Sequence, residues 1–343
     1  MKRNYLIDRF KYLAAVGVVF AHVHLTHPIN SLGIHWLVNG LVRLAVPFFF
    51  ICSGYFLSKK DMKNPQVVKT FTLNQAKRYG ILSLIYIPIA FVQMIFLDQL
   101  DFGTYLHEVV VKGTFLHLWY FPALILATWL VHLGLRRLCP QSLVLLLVPI
   151  YAFGLLGEGY HGLLELIPGL STLYHGYEGI FLTTRNGLFL GLPFIFMGWS
   201  MGYYKHEVKG LEPKLMVSLI LLLVEVSLLD YLNLARDYNL VLGIIPASYY
   251  MFKWILKTSS KRRLHKKTPA YARNSVFLYE YHLLVYGLLL GFMAQVDLDI
   301  LNFGLVRFII VYGICQGLYL VTQWKRSTRT SLRHIIKTRR EYV

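Results

Sequence analysis

Ten apolar runs, each close to the length needed to cross a lipid bilayer, recur from one end of this chain to the other. They cover approximately Ile7 to Thr26, Gly33 to Leu57, Arg78 to Phe96, Leu116 to Gly134, Leu143 to Leu156, Thr183 to Tyr204, Leu215 to Leu234, Leu240 to Leu256, Ser275 to Ala294 and Ile300 to Gln323. About 20 helical residues at roughly 1.5 Å each match a hydrocarbon core of about 30 Å. The fifth run is the shortest. Composition agrees: 56% of the 343 residues are hydrophobic, 15% are charged and mean hydropathy is +0.51, where soluble domains carry about 25% charged residues. The expected fold is an all-α, polytopic membrane helix bundle of about ten transmembrane helices.

Loop charge sets the expected orientation, because cytoplasmic loops accumulate Lys and Arg. Lys2 and Arg3 precede the first run, and Lys59, Lys60, Lys63, Lys69, Lys77 and Arg78 follow the second. Arg136 and Arg137 follow the fourth; Lys205, Lys209 and Lys214 follow the sixth. Lys257, Lys261, Arg262, Arg263, Lys266, Lys267 and Arg273 follow the eighth, and Lys325, Arg326, Arg329, Arg333, Lys337, Arg339 and Arg340 follow the tenth. The intervening loops carry Asp98, Asp101 and Glu108, then Glu158, Glu165 and Glu178, then Asp297 and Asp299. Ten spans with both termini cytoplasmic satisfy this alternation. Residues 1–323 are expected to form one transmembrane domain and residues 324–343 a basic cytoplasmic tail.

The formal charge of +18 does not indicate nucleic acid. The cations flank spans, where the positive-inside bias and anionic headgroups of membrane lipids account for them, and no nucleic-acid-binding motif accompanies them. Cys52, Cys139 and Cys315 are too few and too scattered for a disulfide framework or a zinc site. No metal site and no tightly bound cofactor are expected. The first run is longer than a signal-peptide core and lacks a small-residue cleavage site, so it is read as retained.

Several polar residues interrupt the apolar runs. Lys11 and His22 are eleven residues apart, within about 20° of one helix face and roughly 16 Å along it. With the amino terminus inside, Lys11 lies near the cytoplasmic headgroups and His22 in the outer half of the bilayer; His24 faces elsewhere. An intramembrane histidine serves either as an interhelical hydrogen-bonder or as a proton-transfer group. Arg43 falls about halfway along the second run, beyond snorkelling reach, and so requires a polar cavity and an anionic or acceptor-rich partner. Asp8, three residues before Lys11, can pair with it as a solvated interfacial ion pair. His117 and Arg185 begin runs at the outer face with Trp119 a little deeper, where they either line a mouth for a second substrate or act as interfacial anchors. Glu280 and His282 lie in the inner half of the ninth run on different faces, and at least one should face a cavity. Glu225, mid-way along the seventh run, must be paired or protonated. Ser53 and Gly54 are read as close-packing residues rather than as a nucleophile site.

Five segments in order carry a resemblance. Asp8, Lys11 and His22, then Val46, Pro47, Phe48, Phe49, Ser53 and Gly54, then LHLWYFPAL from Leu116, RNGLFLGLPFIFMGW from Arg185 and YEYHLL from Tyr279 resemble the landmarks of the integral-membrane acyltransferase 3 family. Most members place Arg where this chain has Lys11, which lacks the bidentate fork of a guanidinium. The resemblance implies transfer of an acyl group, commonly acetyl from cytoplasmic acetyl-CoA, to a hydroxyl of an envelope sugar or lipid-linked precursor in a bacterial plasma (inner) membrane. It implies His22 as the base that removes the hydroxyl proton, Lys11 and Asp8 at the acyl-CoA phosphates, and Arg43 on a donor carbonyl. His117, Trp119, Arg185, Glu280 and His282 are then expected on the substrate side.

The first run and the LHLWYF and RNGLFLGLP segments are also similar to the membrane portions of vancomycin-resistance serine racemases, which are associated with serine uptake. The second expectation is therefore a transporter for a small polar substrate such as an amino acid, with a central pocket and no need of a base. No racemase segment accompanies the ten runs, which favours the acyltransferase; with no extracytoplasmic esterase-like domain after the tenth run, an acceptor is expected to be reached by the membrane domain itself or by a separate partner.

Overall fold

The structure, a computed structural model, describes residues 4–23, 31–96, 101–204, 206–260, 270–293, 300 and 303–340. Lys2, Arg3, His24, Asp98, Lys205, Lys261, Arg262, Arg263, Lys266, Lys267, Asp297 and Asp299 lie outside the described residues. Among the described residues every regular element is helical. The chain divides into two units, residues 35–263 and, from both ends of the sequence, residues 1–34 with 264–343.

The terminal unit contains α1 (Tyr5–His22), α11 (Ala270–Met293) and α12 (Gly304–Arg340). Asn4 starts α1: its side chain accepts from the amides of Leu6 and Ile7, two of the donors a helix start leaves unmatched. Helix α1 packs chiefly on α11, and α11 on α12. Ala15, Val18 and Val19 of α1, Leu278 and Leu283 of α11, and Val311 and Cys315 of α12 form the buried apolar seam. Phe20 stacks on Phe308 with centroids 4.0 Å apart, and the hydroxyls of Tyr12 and Tyr312 meet at 2.5 Å.

The central unit contains α2 (Leu32–Ser58), α3 (Pro65–Phe96), α4 (Phe102–Val111), α5 (Tyr120–Arg137), α6 (Pro140–Leu156), α7 (Pro168–Phe181), α8 (187–204), α9 (Leu211–Tyr231) and α10 (Ile244–Ser260). Its tightest pairing is α2 with α8, and glycine makes it so. A Cβ on Gly54 would come within 2.0 Å of the Ile195 carbonyl oxygen, and one on Gly198 within 2.1 Å of that of Ile51. Backbones that close require small residues, the device by which membrane helices gain packing where the hydrophobic effect between them is absent. Ser53 donates to the Phe49 carbonyl at 3.0 Å, in keeping with a packing role. Helix α9 lies against α10 and the start of α2, and α5 against α3 and α8.

Each of the ten apolar runs coincides with one of these helices, and the boundaries shift where the sequence lacked a stop signal. The third run was placed from Arg78, but α3 begins at Pro65, so Lys69, Lys77 and Arg78 are helical rather than loop residues. The short helices α4 and α7 lie in connections between the runs. Leu84, Val110, Leu145 and Leu320 are 65 to 77% exposed on helix surfaces, which suits hydrocarbon and not water. By length and composition Leu32–Ser58, Ala270–Met293 and Gly304–Trp324 can each cross a membrane among the described residues, and Pro140–Leu156 is a shorter apolar helix. These helices and this composition make the chain a membrane protein.

Two features prepare the polar site of the central unit. Helix α2 is irregular between Trp36 and Leu44, with a π-helical stretch (Trp36–Leu41) followed by a 3-10 turn (Val42–Leu44), and Arg43 sits in that turn. Such stretches re-aim side chains out of the regular register. The connection between α9 and α10 is pinned by Glu225 of α9, whose carboxylate accepts from Leu242 N at 2.7 Å, Gly243 N at 2.6 Å and the Tyr160 hydroxyl at 2.6 Å. The partners required for a carboxylate in mid-helix are thereby supplied.

Candidate functional site

The terminal unit brings two histidines together. His22 closes α1 and His282 lies fully buried in α11; Nδ1 of His22 is 3.3 Å from Nε2 of His282, with ring centroids 5.0 Å apart. The surrounding acceptors assign the protons. His282 Nδ1 is 3.0 Å from the Leu278 carbonyl and 2.9 Å from that of Tyr279, so it carries hydrogen and its Nε2 carries the lone pair. His22 Nδ1 is 2.8 Å from the Val18 carbonyl and faces that same Nε2, so it too is the protonated nitrogen. The basic lone pair of His22 is then on Nε2. An imidazole held in one tautomer by a backbone carbonyl and a second ring is arranged for proton transfer.

The sequence places His22 in the outer half of its span and His282 in the inner half of its own; their contact corrects this, since both rings occupy one level. Helix α11 starts at Ala270, earlier than the expected Ser275, which carries His282 further along its helix. In the same unit Asp8 is only 4% exposed, too buried for a solvated interfacial pair, while Lys11 and Glu280 are partly exposed.

The central unit holds an ionic network beside a cavity of about 980 Å³. Asp237, in the connection between α9 and α10, bridges two arginines: its Oδ1 is 2.8 Å from Arg43 and its Oδ2 is 3.2 Å from Arg185. Arg43 also donates to Asn239 at 2.9 Å and Asn39 at 3.3 Å. The Asn239 amide donates to Asp237 at 2.5 Å and to Glu158 at 3.4 Å. The Arg185 guanidinium lies 5.5 Å over the Trp119 ring. Glu158, in the turn after α6, is 5% exposed and accepts from the Thr183 hydroxyl at 3.5 Å. Burial first, and then the Asp237 carboxylate, push its pKa up, against the pull of Arg185 and Arg43. Trp119, Glu158, Arg185, Arg236 and Asp237 all line the cavity.

A family model described as an acyltransferase domain matches residues 4–321. The chain belongs to the acyltransferase 3 family. It is 27% identical over 345 residues to a serine/alanine racemase of Enterococcus gallinarum, covering 96% of this chain and 48% of that protein. Two amino-acid racemases of Enterococcus faecalis match at 27% over 263 residues, 76% of this chain and 37% of the relative, and at 32% over 200 residues, 56% and 28%. The chain thus spans half or less of the curated relatives it matches. No solved structure matches it.

Of the residues that the family resemblance singled out, the structure gathers His22 with His282 in one unit, and Arg43 with Arg185 and Trp119 in the other. His117 is 1% exposed, its ring 4.9 Å from that of Tyr86 and 6.2 Å from that of Phe115, and it is not among the cavity-lining residues. Sequence reasoning required an anionic partner for Arg43 and did not find Asp237, nor single out Glu158 or Asn239 as its neighbours. The signal was present: a membrane guanidinium needs a carboxylate, and Asp237 stands in a short polar connection, ARDYN, between two apolar runs.

Proposed function

We propose that this chain is a membrane-embedded O-acyltransferase that moves an acyl group, acetyl in the simplest case, from cytoplasmic acyl-CoA to a hydroxyl of an envelope sugar or lipid-linked precursor. It would do so as a ten-span protein of the bacterial plasma membrane with both termini cytoplasmic, residues 1–323 forming the transmembrane domain and 324–343 a cytoplasmic tail. The observation that carries the reading is the tautomer-locked His22–His282 pair in a member of an acyltransferase family. His22 Nε2 takes the acceptor hydroxyl proton as the oxygen attacks the thioester carbonyl. The resulting imidazolium returns a proton to the leaving thiolate. The second ring and the Val18 carbonyl stabilise that cation, as an orienting partner does for a general base. Lys11 and Asp8 are assigned to the acyl-CoA phosphates, Arg43 to a donor carbonyl, and Trp119, Arg185 and Glu280 to the substrate side, while the buried His117, which does not line the cavity, is left out.

One observation favours a second reading. At one end the central cavity presents the guanidiniums of Arg185 and Arg236 beside the carboxyl groups of Glu158 and Asp237, a lining that suits a small zwitterion, and the relatives matched over most of this chain are named as a serine/alanine racemase and an amino-acid racemase. In that reading the membrane domain binds or moves an amino acid without covalent chemistry.

The test is acetyl transfer from radiolabelled acetyl-CoA to envelope material by membranes containing the wild type or His22→Ala at matched expression. General-base loss lowers transfer by about 10²- to 10⁴-fold. Undiminished transfer in the variant removes His22 as the base. Absence of any protein-dependent label, with serine or alanine uptake present, selects the second reading.

A further inference from the structure

Charge counting around Asp237 leaves a remainder. Two guanidiniums, Arg43 and Arg185, share this one carboxylate; the Asn239 amide links it to Glu158, and Tyr238 links it, one residue further out, to Asp230. The other charged groups on the cavity wall have partners of their own. Lys112 pairs with Glu108 at 3.4 Å, Arg236 with Glu178, and Asp101 accepts from Gly103 N and Thr104 at the start of α4. When Glu158 is ionised the two arginines are balanced by Asp237 and Glu158; when Glu158 is protonated one of the two positive charges loses that balance.

We propose that this corner of the cavity is a proton-linked oxyanion subsite: a ligand carboxylate or phosphate takes the Arg185 end of the Asp237 bridge while Glu158 carries a proton. The exchange strands nothing. Arg43 keeps Asp237, Asn239 and Asn39, so Asp237 can lose Arg185 without leaving a guanidinium unpaired. Arg185 is reachable, with 36% of its side chain exposed, and its guanidinium rests over the Trp119 ring on the cavity wall. A guanidinium fork suits two oxygens of one anion, which distinguishes an oxyanion from a halide.

Glu158 is placed to answer the arriving charge. It is faced by Asp237 and Arg236 from the connection between α9 and α10, by Thr183 and Arg185 from the segment before α8, by Arg43 from α2 and by Tyr174 from α7. The proton comes from solvent through the cavity, and no bond other than O–H is made. Neither acyl transfer nor a donor enters this step, so the subsite and the acyltransferase reading stand or fall separately.

Acetate and phosphate titrations of the full-length protein in nanodiscs, by calorimetry between pH 6 and 8 with chloride as the control, test the proposal. Affinity for acetate, which stays ionised throughout this range while phosphate itself titrates, should rise as pH falls, by up to about tenfold per pH unit, the limit for one linked proton. Glu158→Gln should bind at pH 8 as tightly as the wild type at low pH and lose the pH dependence. Asp237→Asn should bind more tightly than the wild type, because the internal competitor is gone, and Arg185→Gln should lose binding. Should Asp237→Asn fail to fold, the other two variants decide. Acetate without phosphate identifies a carboxylate ligand, and binding of both identifies a general oxyanion subsite. Equal binding of chloride, an unaltered pH slope in Glu158→Gln, or undiminished affinity in Arg185→Gln overturns the proposal.

Discussion

Buried charge in this protein is handled by giving each carboxyl a defined set of donors, and Glu225 shows the consequence at the scale of one residue. It accepts from two backbone amides and a tyrosine hydroxyl at 2.6 to 2.7 Å, where the connection from α9 turns into α10. Replacing it by Leu leaves those donors without their acceptor, at about 1–3 kcal/mol for a buried one such as the Gly243 amide. Glu225→Leu should therefore lower the thermal unfolding temperature of the purified protein markedly, as measured by scanning fluorimetry in detergent. Glu225→Gln retains one acceptor oxygen and should fall between that variant and the wild type. An unchanged melting temperature in Glu225→Leu would mean that the clamp contributes nothing to folding. His22 and Glu158 differ from Glu225 in kind. Each faces groups that take or give a proton, and that is why they carry the chemical proposals.

Between elements, the α2–α8 interface determines how the central unit assembles. The carbonyls of Ile195 and Ile51 lie where a Cβ on Gly54 or Gly198 would have to go, so neither helix can retreat without unpacking the other. Overpacking costs roughly 1–3 kcal/mol where neighbours can shift and more where the obstacle is backbone. Gly54→Val and Gly198→Val should abolish monodisperse elution in size-exclusion chromatography. Gly287→Ala and Gly291→Ala in α11, where nothing stands within 4 Å of the added carbon, should elute as the wild type does. Normal elution of Gly54→Val would show that the two helices are not in backbone contact.

For the molecule as a whole, the alternation of basic and acidic connections makes a prediction about sidedness. In a background with Cys139, the exposed cysteine, replaced by Ser, single cysteines at Lys63 and Lys209 should resist a membrane-impermeant maleimide in intact cells. Cysteines at Glu108 and Glu165 should react. Labelling of both sets, or the reverse pattern, removes the orientation with cytoplasmic termini, and with it the arrival of acyl-CoA at the Lys11 end of α1.

Much of this was legible in the sequence because it depends on distance along one helix or on bulk solvent. Apolar length and loop charge mark ten helices, the need of a buried guanidinium for an anion marks Arg43, and small residues in VPFFFICSG mark a close helix contact; each is a one-dimensional property. What sequence could not supply is which partners meet. His22 and His282 stand 260 residues apart, and the sequence puts them at different depths because nothing in it marks the start of α11 at Ala270. Asp237 lies in a short polar connection that no periodicity distinguishes, yet it joins Arg43 to Arg185 because the irregular turn of α2 and the Glu225 clamp bring those segments to one place. Sequence by itself determined that this chain is a helical membrane protein of the acyltransferase 3 kind with histidine and arginine inside it. Tertiary structure decided which lone pair is basic and which carboxylate balances which cation, because proton position and charge balance depend on neighbours in space rather than on neighbours in the chain.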